Sequence, residues 1–309
     1  MILCAGLSPA WQQILVLDAF RCGEVNRARE VHWCSSGKVL NAGIALHHLG
    51  GPCRVLSTLG GPAVPLIQRE LDALGVPYRW VQTRSETRIC TTILDRATGT
   101  ITELVENGRP VLPQELDRFL AAYAEEAARA EVVVLIGSLP AGAPESFYRE
   151  LLQRTPCPAV LDFRGEGLLG VLDLKPYVVK PNREELARTA GRPLESDESL
   201  LGAMRELNRR GAAWVVVTQG PGPVFVTSAE GAWRLYPPPA APVVNPIGSG
   251  DALAATIAWA TRGGRPFLDA VRLGLAAAGQ NVRQLLPCRL DPMTLEEEAA
   301  AVRVESCGW

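Results

Sequence analysis

The chain has 309 residues, of which 47% are hydrophobic and 21% are charged, and its formal net charge is -2. This composition is typical of a globular protein with a large core. It lacks the basic stripe that nucleic-acid binding needs and the long apolar run that spans a bilayer. We therefore expect a cytoplasmic protein that binds small molecules, with no nucleic-acid or membrane partner.

Short β-branched segments alternate with helix-length segments along most of the chain. The segments expected to form buried strands are Ile2–Leu7, Val55–Leu59, Val132–Ile136, Ala159–Leu161, Tyr177–Val179 and Trp214–Val217. Those expected to form helices are Leu40–Leu49, Pro65–Leu74, Pro113–Ala130, Ser146–Leu152, Arg183–Ala190 and Ser196–Arg209. This alternation predicts an α/β fold with a mostly parallel central sheet.

Two regions depart from this alternation. Gln13–Leu17, Thr91–Asp95 and Thr100–Leu104 have the composition of strands but are not followed by helices, which predicts a small sheet projecting as a lid over the active site. Pro223–Val226 and Trp233–Tyr236 flank a short turn. They predict an antiparallel hairpin at the edge of the main sheet.

The clearest chemical signal is Gly248, Ser249, Gly250 and Asp251, which precede a strongly apolar helical segment over 252–260. The amides of the first three residues would lie at the N-terminus of that helix, where unpaired N–H groups and the helix dipole favour an anion. Asp251 would be close enough to accept a proton from an attacking hydroxyl. Taken alone, the segment also fits an ordinary helix start with a favourable aspartate.

A second signal is the Lys180 to Glu185 segment, where a strand ends and a helix begins. Asn182 and Glu185 lie three residues apart on one helical face, where they could hold water around a magnesium ion. The same spacing is that of a capping box. The two roles are compatible.

A third, weaker signal is the glycine-rich turn that contains Thr218, Gly220 and Gly222. It follows a buried strand, and such a turn lets the backbone approach a nucleotide closely. Any tight turn between a helix and a strand has a similar sequence.

From Met1 to about Pro287 the chain resembles the ribokinase-like (PfkB) carbohydrate kinases, most closely the branch of phosphofructokinases and tagatose-phosphate kinases. The motifs that carry the resemblance occur in the family's order at 7–10, 23–28, 36–43, 86–88, 137–142, 180–185 and 248–251. The resemblance implies one ribokinase-like domain over 1–309, with lid strands from about 11–35 and 86–106. It also implies transfer of the γ-phosphoryl of ATP, with Mg²⁺, to a hydroxyl of a sugar phosphate, with fructose 1-phosphate, fructose 6-phosphate and tagatose 6-phosphate as the leading acceptors.

The resemblance assigns roles residue by residue. Asp251 would be the catalytic base, and Gly248, Ser249 and Gly250 would form the anion hole. The expected nucleotide-binding residues are Lys180, Asn182, Glu185, Thr218, Gly220, Gly222 and Asn281, with Asn182 and Glu185 holding magnesium through water. The expected substrate-binding residues are Gln12, Arg27, Gly37, Lys38, Asn41, Arg88 and Ser138.

Two departures from the family's pattern concern the sugar. Trp11 or Gln12 stands where the family has a substrate-binding aspartate, and Val39 stands where the family has a glycine, which is expected to obstruct the sugar. These departures keep open a kinase with altered sugar specificity, a catalytically weak relative that binds a phosphometabolite, and a kinase for an unphosphorylated sugar or nucleoside. The apolar outer face of the lid predicts a homodimer.

Overall fold

The structure, a computed structural model, describes residues 1–308. The strands are β1 (Ile2–Ala5), β2 (Ala10–Leu17), β3 (Glu30–Ser36), β4 (Cys53–Leu59), β5 (Tyr78–Gln82), β6 (Arg88–Asp95), β7 (Ile101–Val105), β8 (Val132–Ile136), β9 (Ala159–Asp162), β10 (Val178–Val179), β11 (Trp214–Val217), β12 (Val224–Thr227), β13 (Ala232–Tyr236) and β14 (Arg303–Cys307). The helices are α1 (Lys38–His48), α2 (Val64–Leu74), α3 (Pro113–Ala127), α4 (Phe147–Leu152), α5 (Glu166–Leu169), α6 (Arg183–Ala190), α7 (Asp197–Arg210), α8 (Ser249–Arg262), α9 (Phe267–Val282) and α10 (Leu295–Ala300), with short 3₁₀ turns at Gly61–Ala63 and Leu172–Leu174.

The main sheet has ten strands in the order β14-β13-β12-β11-β10-β9-β8-β1-β4-β5. The strands from β5 to β11 in this order pair in parallel, and β12, β13 and β14 continue the sheet in antiparallel pairing. The predicted α/β fold with a mostly parallel sheet is confirmed. The predicted hairpin forms as β12 and β13, but its placement at the sheet edge is wrong because β14 pairs with β13 and lies outside it.

Helices cover both faces of the main sheet, which is why strands β1, β8 and β10 are apolar at every position. In β8, Val132, Val134 and Ile136 pack into one core layer with α1, α8 and α9. The alternate residues Val133 and Leu135 pack into the opposite layer with α3, α4 and α7. Within residues 1–308, no helix combines the length and the apolar character needed to cross a membrane.

The lid is a separate four-stranded sheet in the order β3-β2-β6-β7. Strand β3 lies mostly within the 11–35 range that the resemblance assigned to lid strands, although the strand pattern by itself did not show it. Strand β2 begins at Ala10, three residues before the segment expected from the pattern. On one face of the lid, Ile14, Val16, Cys34 and Leu94 are buried against a loop near the C-terminus that includes Leu285. The lid is thereby attached to the main domain and covers the carboxyl ends of the central parallel strands.

Candidate active site

The N-terminus of α8 forms the floor of the site. Gly248 caps this helix with a φ of 89°, and a Cβ atom there would lie 2.9 Å from the Cβ of Pro287, so only glycine fits. The Ser249 amide donates to the Pro246 carbonyl at 3.1 Å. The amides of Gly248, Gly250 and Asp251 have no acceptor among residues 1–308, so two of the three predicted donors are free and the Asp251 amide adds a third.

Asp251 lies in the first turn of α8, where its side chain is 6% exposed. Burial raises its pKa to about 7; the negative charge of Asp162 adds to this rise, whereas Lys38, Lys180 and a hydrogen bond from Asn41 oppose it. In that bond the Asn41 Nδ2 donates to the Asp251 Oδ2 at 2.8 Å. A carboxylate with this pKa is suited to accept a proton near neutral pH.

Asp162, at the end of β9, is a charged residue that the sequence analysis missed. It is 1% exposed, and its two carboxylate oxygens lie 2.8 Å from the Lys38 Nζ and 2.9 Å from the Lys180 Nζ. Burial alone would raise the pKa of Asp162, but the two ammonium groups lower it below its usual value. An acid immediately after the apolar strand segment Ala159–Leu161, at the carboxyl edge of a parallel sheet, was the available signal.

Lys180 extends this arrangement to the α8 N-terminus. A Cβ atom built on Gly250 would lie 3.5 Å from the Lys180 Nζ. The ammonium group and the free amides of Gly250 and Asp251 therefore share one side of the cleft. Both are suited to bind a phosphoryl group.

The capping box at the start of α6 is confirmed. The Asn182 Oδ1 accepts from the Glu185 amide at 2.7 Å, and the Glu185 Oε2 accepts from the Asn182 amide at 3.0 Å. The other oxygen of Glu185 faces the cleft, where it accepts from the Lys38 Nζ at 3.5 Å and lies 3.9 Å from an Arg164 nitrogen. Among the described residues, no three acidic, histidine or cysteine side chains form a metal cluster.

Most predicted site residues meet in one cavity of about 460 Å³, which we call the main cleft. Those that line it are Gln12, Gly37, Lys38, Asn41, Arg88, Lys180, Asn182, Glu185, Thr218, Gly220, Gly248, Ser249, Gly250 and Asp251. Gly222 and Asn281 do not line it, and Arg27 is exposed on the loop between β2 and β3, outside the cleft.

Asn281 is fully buried and supports the floor from behind. Its Oδ1 accepts from the Cys288 amide at 2.7 Å, and its Nδ2 donates to the Ile247 carbonyl at 2.9 Å. These bonds hold the loop that leads into α8. In this structure Asn281 thus positions the anion-binding turn, whereas the sequence analysis expected it to contact the nucleotide.

An adjoining cavity of about 330 Å³, the phosphate pocket, is lined by Ser8, Lys38, Arg88, Ser138 and Arg164 among others. The Arg88 guanidinium donates to the carbonyls of Ser8 at 3.1 Å, Pro9 at 3.4 Å and Glu106 at 3.1 Å. These neutral acceptors fix its position without neutralising its charge. Arg88 is therefore ready to pair with an anion. Arg164 was not expected in this group.

The two departures from the family's pattern have different outcomes. Gln12 lines the main cleft, whereas the Trp11 ring lies on the other face of the lid and stacks on Trp33 with centroids 6.0 Å apart. Val39 is 1% exposed within the hydrophobic core, so the expectation that it obstructs the sugar is wrong. Gly37, which does line the main cleft, packs closely on the backbone between β1 and β2, since a Cβ atom there would lie 2.7 Å from the Ser8 carbonyl oxygen.

Comparison with known families decides the chemistry. The sequence model described as pfkB family carbohydrate kinase matches residues 4–291. The chain belongs to this family. The PfkB kinase described here is therefore a phosphotransferase with an alcohol group as acceptor, and the expected family resemblance is confirmed.

Solved structures share the fold of this PfkB kinase. A protein described as a possible 1-phosphofructokinase from Thermotoga maritima superposes with a TM-score of 0.90 at 24% identity, covering 99% of each chain. Escherichia coli phosphofructokinase-2 in complex with fructose-6-phosphate gives a TM-score of 0.84 at 23% identity, covering 97% of this chain and 99% of that one. Arabidopsis thaliana ribokinase complexed with ribose and ATP gives 0.75 at 21% identity, covering 96% and 98%.

Proposed function

We propose that this kinase transfers the γ-phosphoryl group of ATP to a hydroxyl of a phosphorylated ketose. The observation that carries the proposal is the placement of Asp251 in one continuous cleft, between the free amides at the α8 N-terminus and the cationic phosphate pocket. A sugar phosphate held by that pocket would present a hydroxyl toward the base, while the nucleotide would lie along Lys180 and the turn at Thr218 and Gly220.

In the transfer step, the Asp251 carboxylate accepts the proton of the attacking hydroxyl. The sugar oxygen forms a bond to the γ-phosphorus as the bond to the bridging oxygen of ADP breaks. Asn41 donates to Asp251 and keeps its carboxylate oriented. The amides of Gly250 and Asp251 and the ammonium of Lys180 stabilise the negative charge on the transferred group.

The polar groups at the start of α6 suit magnesium held through water. Magnesium keeps several water ligands and takes the remainder from phosphate oxygens and one or two carboxylates. Glu185 keeps one oxygen outside its capping bonds, and Asn182 lies beside it on the main cleft. When bound, the ion would neutralise part of the triphosphate charge.

Two features support a phosphorylated acceptor. Arg88 is oriented without a charged partner within 4 Å among residues 1–308, and Lys38, Ser138 and Arg164 line the same pocket. The similar proteins described above include phosphofructokinases, one of them in complex with fructose-6-phosphate. Fructose 1-phosphate, fructose 6-phosphate and tagatose 6-phosphate are the leading acceptors. An unphosphorylated sugar or nucleoside would leave the Arg88 guanidinium without a charged partner.

A homodimer through the lid belongs to the same proposal. Val31, Trp33, Ile89 and Leu104 are between 40% and 56% exposed, and the strand register places all four on the lid face that points away from the main cleft. An exposed apolar cluster of this kind marks an interaction surface. A second copy of the chain could bury it with its own apolar lid face. Phosphofructokinase-2 from Escherichia coli has also been described as a tetramer in an inhibited form.

The test is ATP consumption with magnesium across a panel of ketose phosphates and unphosphorylated sugars. We expect turnover on a ketose phosphate, and we expect Asp251→Asn to lower it by about 100-fold or more because the base is removed, while ATP affinity is retained. Asp269→Asn, in the first turn of α9, is the matched control. Unchanged turnover in Asp251→Asn would refute the base, and ATP binding without turnover in the wild type would favour a phosphometabolite-binding relative.

A further inference from the structure

The lid face above the main cleft carries polar groups that the transfer step does not use. Gln12, Cys90 and Val105 form one row across β2, β6 and β7, and all three line the main cleft. Glu103 also lines the cleft and pairs with Thr92 in the next row. We call this polar surface the roof; its carboxylate, from Glu103, lies opposite the floor that carries the base.

Glu103 differs from the other carboxylates of the main cleft. Asp162 is paired with two lysines, Glu185 caps α6, and Asp251 accepts a bond from Asn41. Glu103 has no hydrogen bond or ion pair with any residue from 1 to 308. Partial loss of hydration raises its pKa, with the charge of Arg88 opposing the rise. It is the one cleft carboxylate with its full hydrogen-bonding capacity free.

Gln12 supplies a second acceptor beside it. The Gln12 Nε2 donates to the Thr92 Oγ1 at 2.8 Å and lies 3.5 Å from the Gln13 carbonyl, which fixes the orientation of the amide. The Gln12 Oε1 has no donor among the described residues. On the floor, the Asn41 Oδ1 is likewise buried without a partner. The cleft thus offers a carboxylate and two amide oxygens as unused hydrogen-bond acceptors.

These unused acceptors suit a ligand with several hydroxyl groups, such as a polyol. Each sugar hydroxyl donates one hydrogen bond, and a hydroxyl enclosed without an acceptor would lose its bond to water. A sugar phosphate held by Arg88 and Lys38 would extend its carbon chain between Glu103 above and Asn41 below. The bonds to a carboxylate would be the stronger ones because the acceptor is charged.

We propose that Glu103 is a specificity-determining residue whose carboxylate accepts hydrogen bonds from the chain hydroxyls of the acceptor sugar, with the Gln12 Oε1 as the neighbouring acceptor. This inference rests on the proposed function, since it names how the same cleft distinguishes its acceptor. It assigns sugar recognition to β7 and β2 of the lid and leaves phosphoryl transfer to the floor.

The experiment compares wild type, Glu103→Gln and the control Glu30→Gln, an exposed acid on β3 outside the cleft. We expect Glu103→Gln to raise the KM for the acceptor by about 10- to 100-fold, the effect of losing a charge-assisted hydrogen bond, with the KM for ATP unchanged. Glu30→Gln should leave both constants unchanged. Gln12→Asp, added to Glu103→Gln, should restore part of the loss by returning a carboxylate to the roof.

A binding arm provides a second readout. Calorimetric titration of wild type with the acceptor and with its single-deoxy analogues should show weaker binding of at least one analogue, and Glu103→Gln should bind that analogue and the parent sugar equally. Wild-type turnover with an unchanged acceptor KM and unchanged discrimination in Glu103→Gln would overturn the role of Glu103 alone. Failure of the wild type to bind or phosphorylate any sugar phosphate would overturn the proposed acceptor class as well.

Discussion

The floor and the roof of the main cleft are built differently. On the floor, Asp162, Lys180, Asn41 and Asp251 are buried and joined by short polar contacts, which orient the groups of the proposed transfer step. On the roof, Glu103 has no partner within residues 1–308, and the outer face of the same sheet exposes apolar side chains. The groups of the proposed transfer step are therefore preorganised, whereas the proposed acceptor recognition and dimer formation depend on partners that the lid must bind.

The largest effect on the free energy of unfolding should come from a substitution of Asp162 on the floor. Asp162→Asn keeps the shape of the side chain but leaves two neighbouring ammonium groups without their shared counter-charge. Because removing one partner of a buried ion pair is costly, we expect a loss of about 3 to 5 kcal/mol in the free energy of unfolding, measured by urea denaturation. Asp173→Asn, which removes an exposed partner of Arg149, should change it by less than about 1 kcal/mol. Equal effects for the two variants would contradict the floor's preorganisation.

A smaller effect should come from the outer face of the lid. Trp33→Glu places a charge in the centre of the proposed dimer contact, and we expect the dimer dissociation constant to rise about 100-fold, as for the loss of an aromatic interface anchor. Met293→Glu changes an apolar side chain that is 87% exposed in the loop between α9 and α10, outside the lid strands, and should have no effect. Analytical ultracentrifugation is the measurement. A wild type that sediments as a monomer at micromolar concentration would disprove the interface.

The smallest effect concerns the free energy of unfolding, which the burial of the Asp251 carboxylate should lower at high pH. The pKa of Asp251 is about 7 in the folded chain and near 3.8 when exposed, so the folded state binds more protons between these values. Its contribution to stability is therefore complete below about pH 4 and is lost as pH rises through 7. We expect Asp251→Asn to be more stable than wild type at pH 8, by about 1 to 2 kcal/mol after the altered bond to Asn41 is counted, and the difference to shrink at pH 5. Thermal unfolding at both pH values tests this, and a variant less stable at pH 8 would contradict the raised pKa.

Local signals made the floor largely predictable from sequence. The turn from Gly248 to Asp251 and the capping box that starts at Asn182 each consist of residues that are neighbours in the sequence. Each of these motifs therefore has a recognisable local pattern. Asp162 was missed because its partners Lys38 and Lys180 lie on other elements, and only the sheet order brings them together. Val39 was misplaced because α1 begins at Lys38, which turns the next side chain into the core.

The roof was harder to predict than its individual strands. Gln12 and Trp11 could not be separated by sequence, since the two faces of a strand alternate and a shift of one residue exchanges them. The pairing of β2 with β6, and of β6 with β7, decides which side chains meet over the cleft. That pairing joins segments about 80 residues apart, such as Gln12 and Thr92.

The lid is joined to the main domain at several places. Four chain segments join it to the main domain, at 6–9, 37, 83–87 and 106–112, and all of them are short. These connections leave the sheet along one edge, and the packing of Ile14, Val16 and Leu94 against the loop that includes Leu285 holds the sheet at a second place. Because the roof and the outer face are the two sides of one four-stranded sheet, a displacement of the roof would also displace the proposed dimer contact.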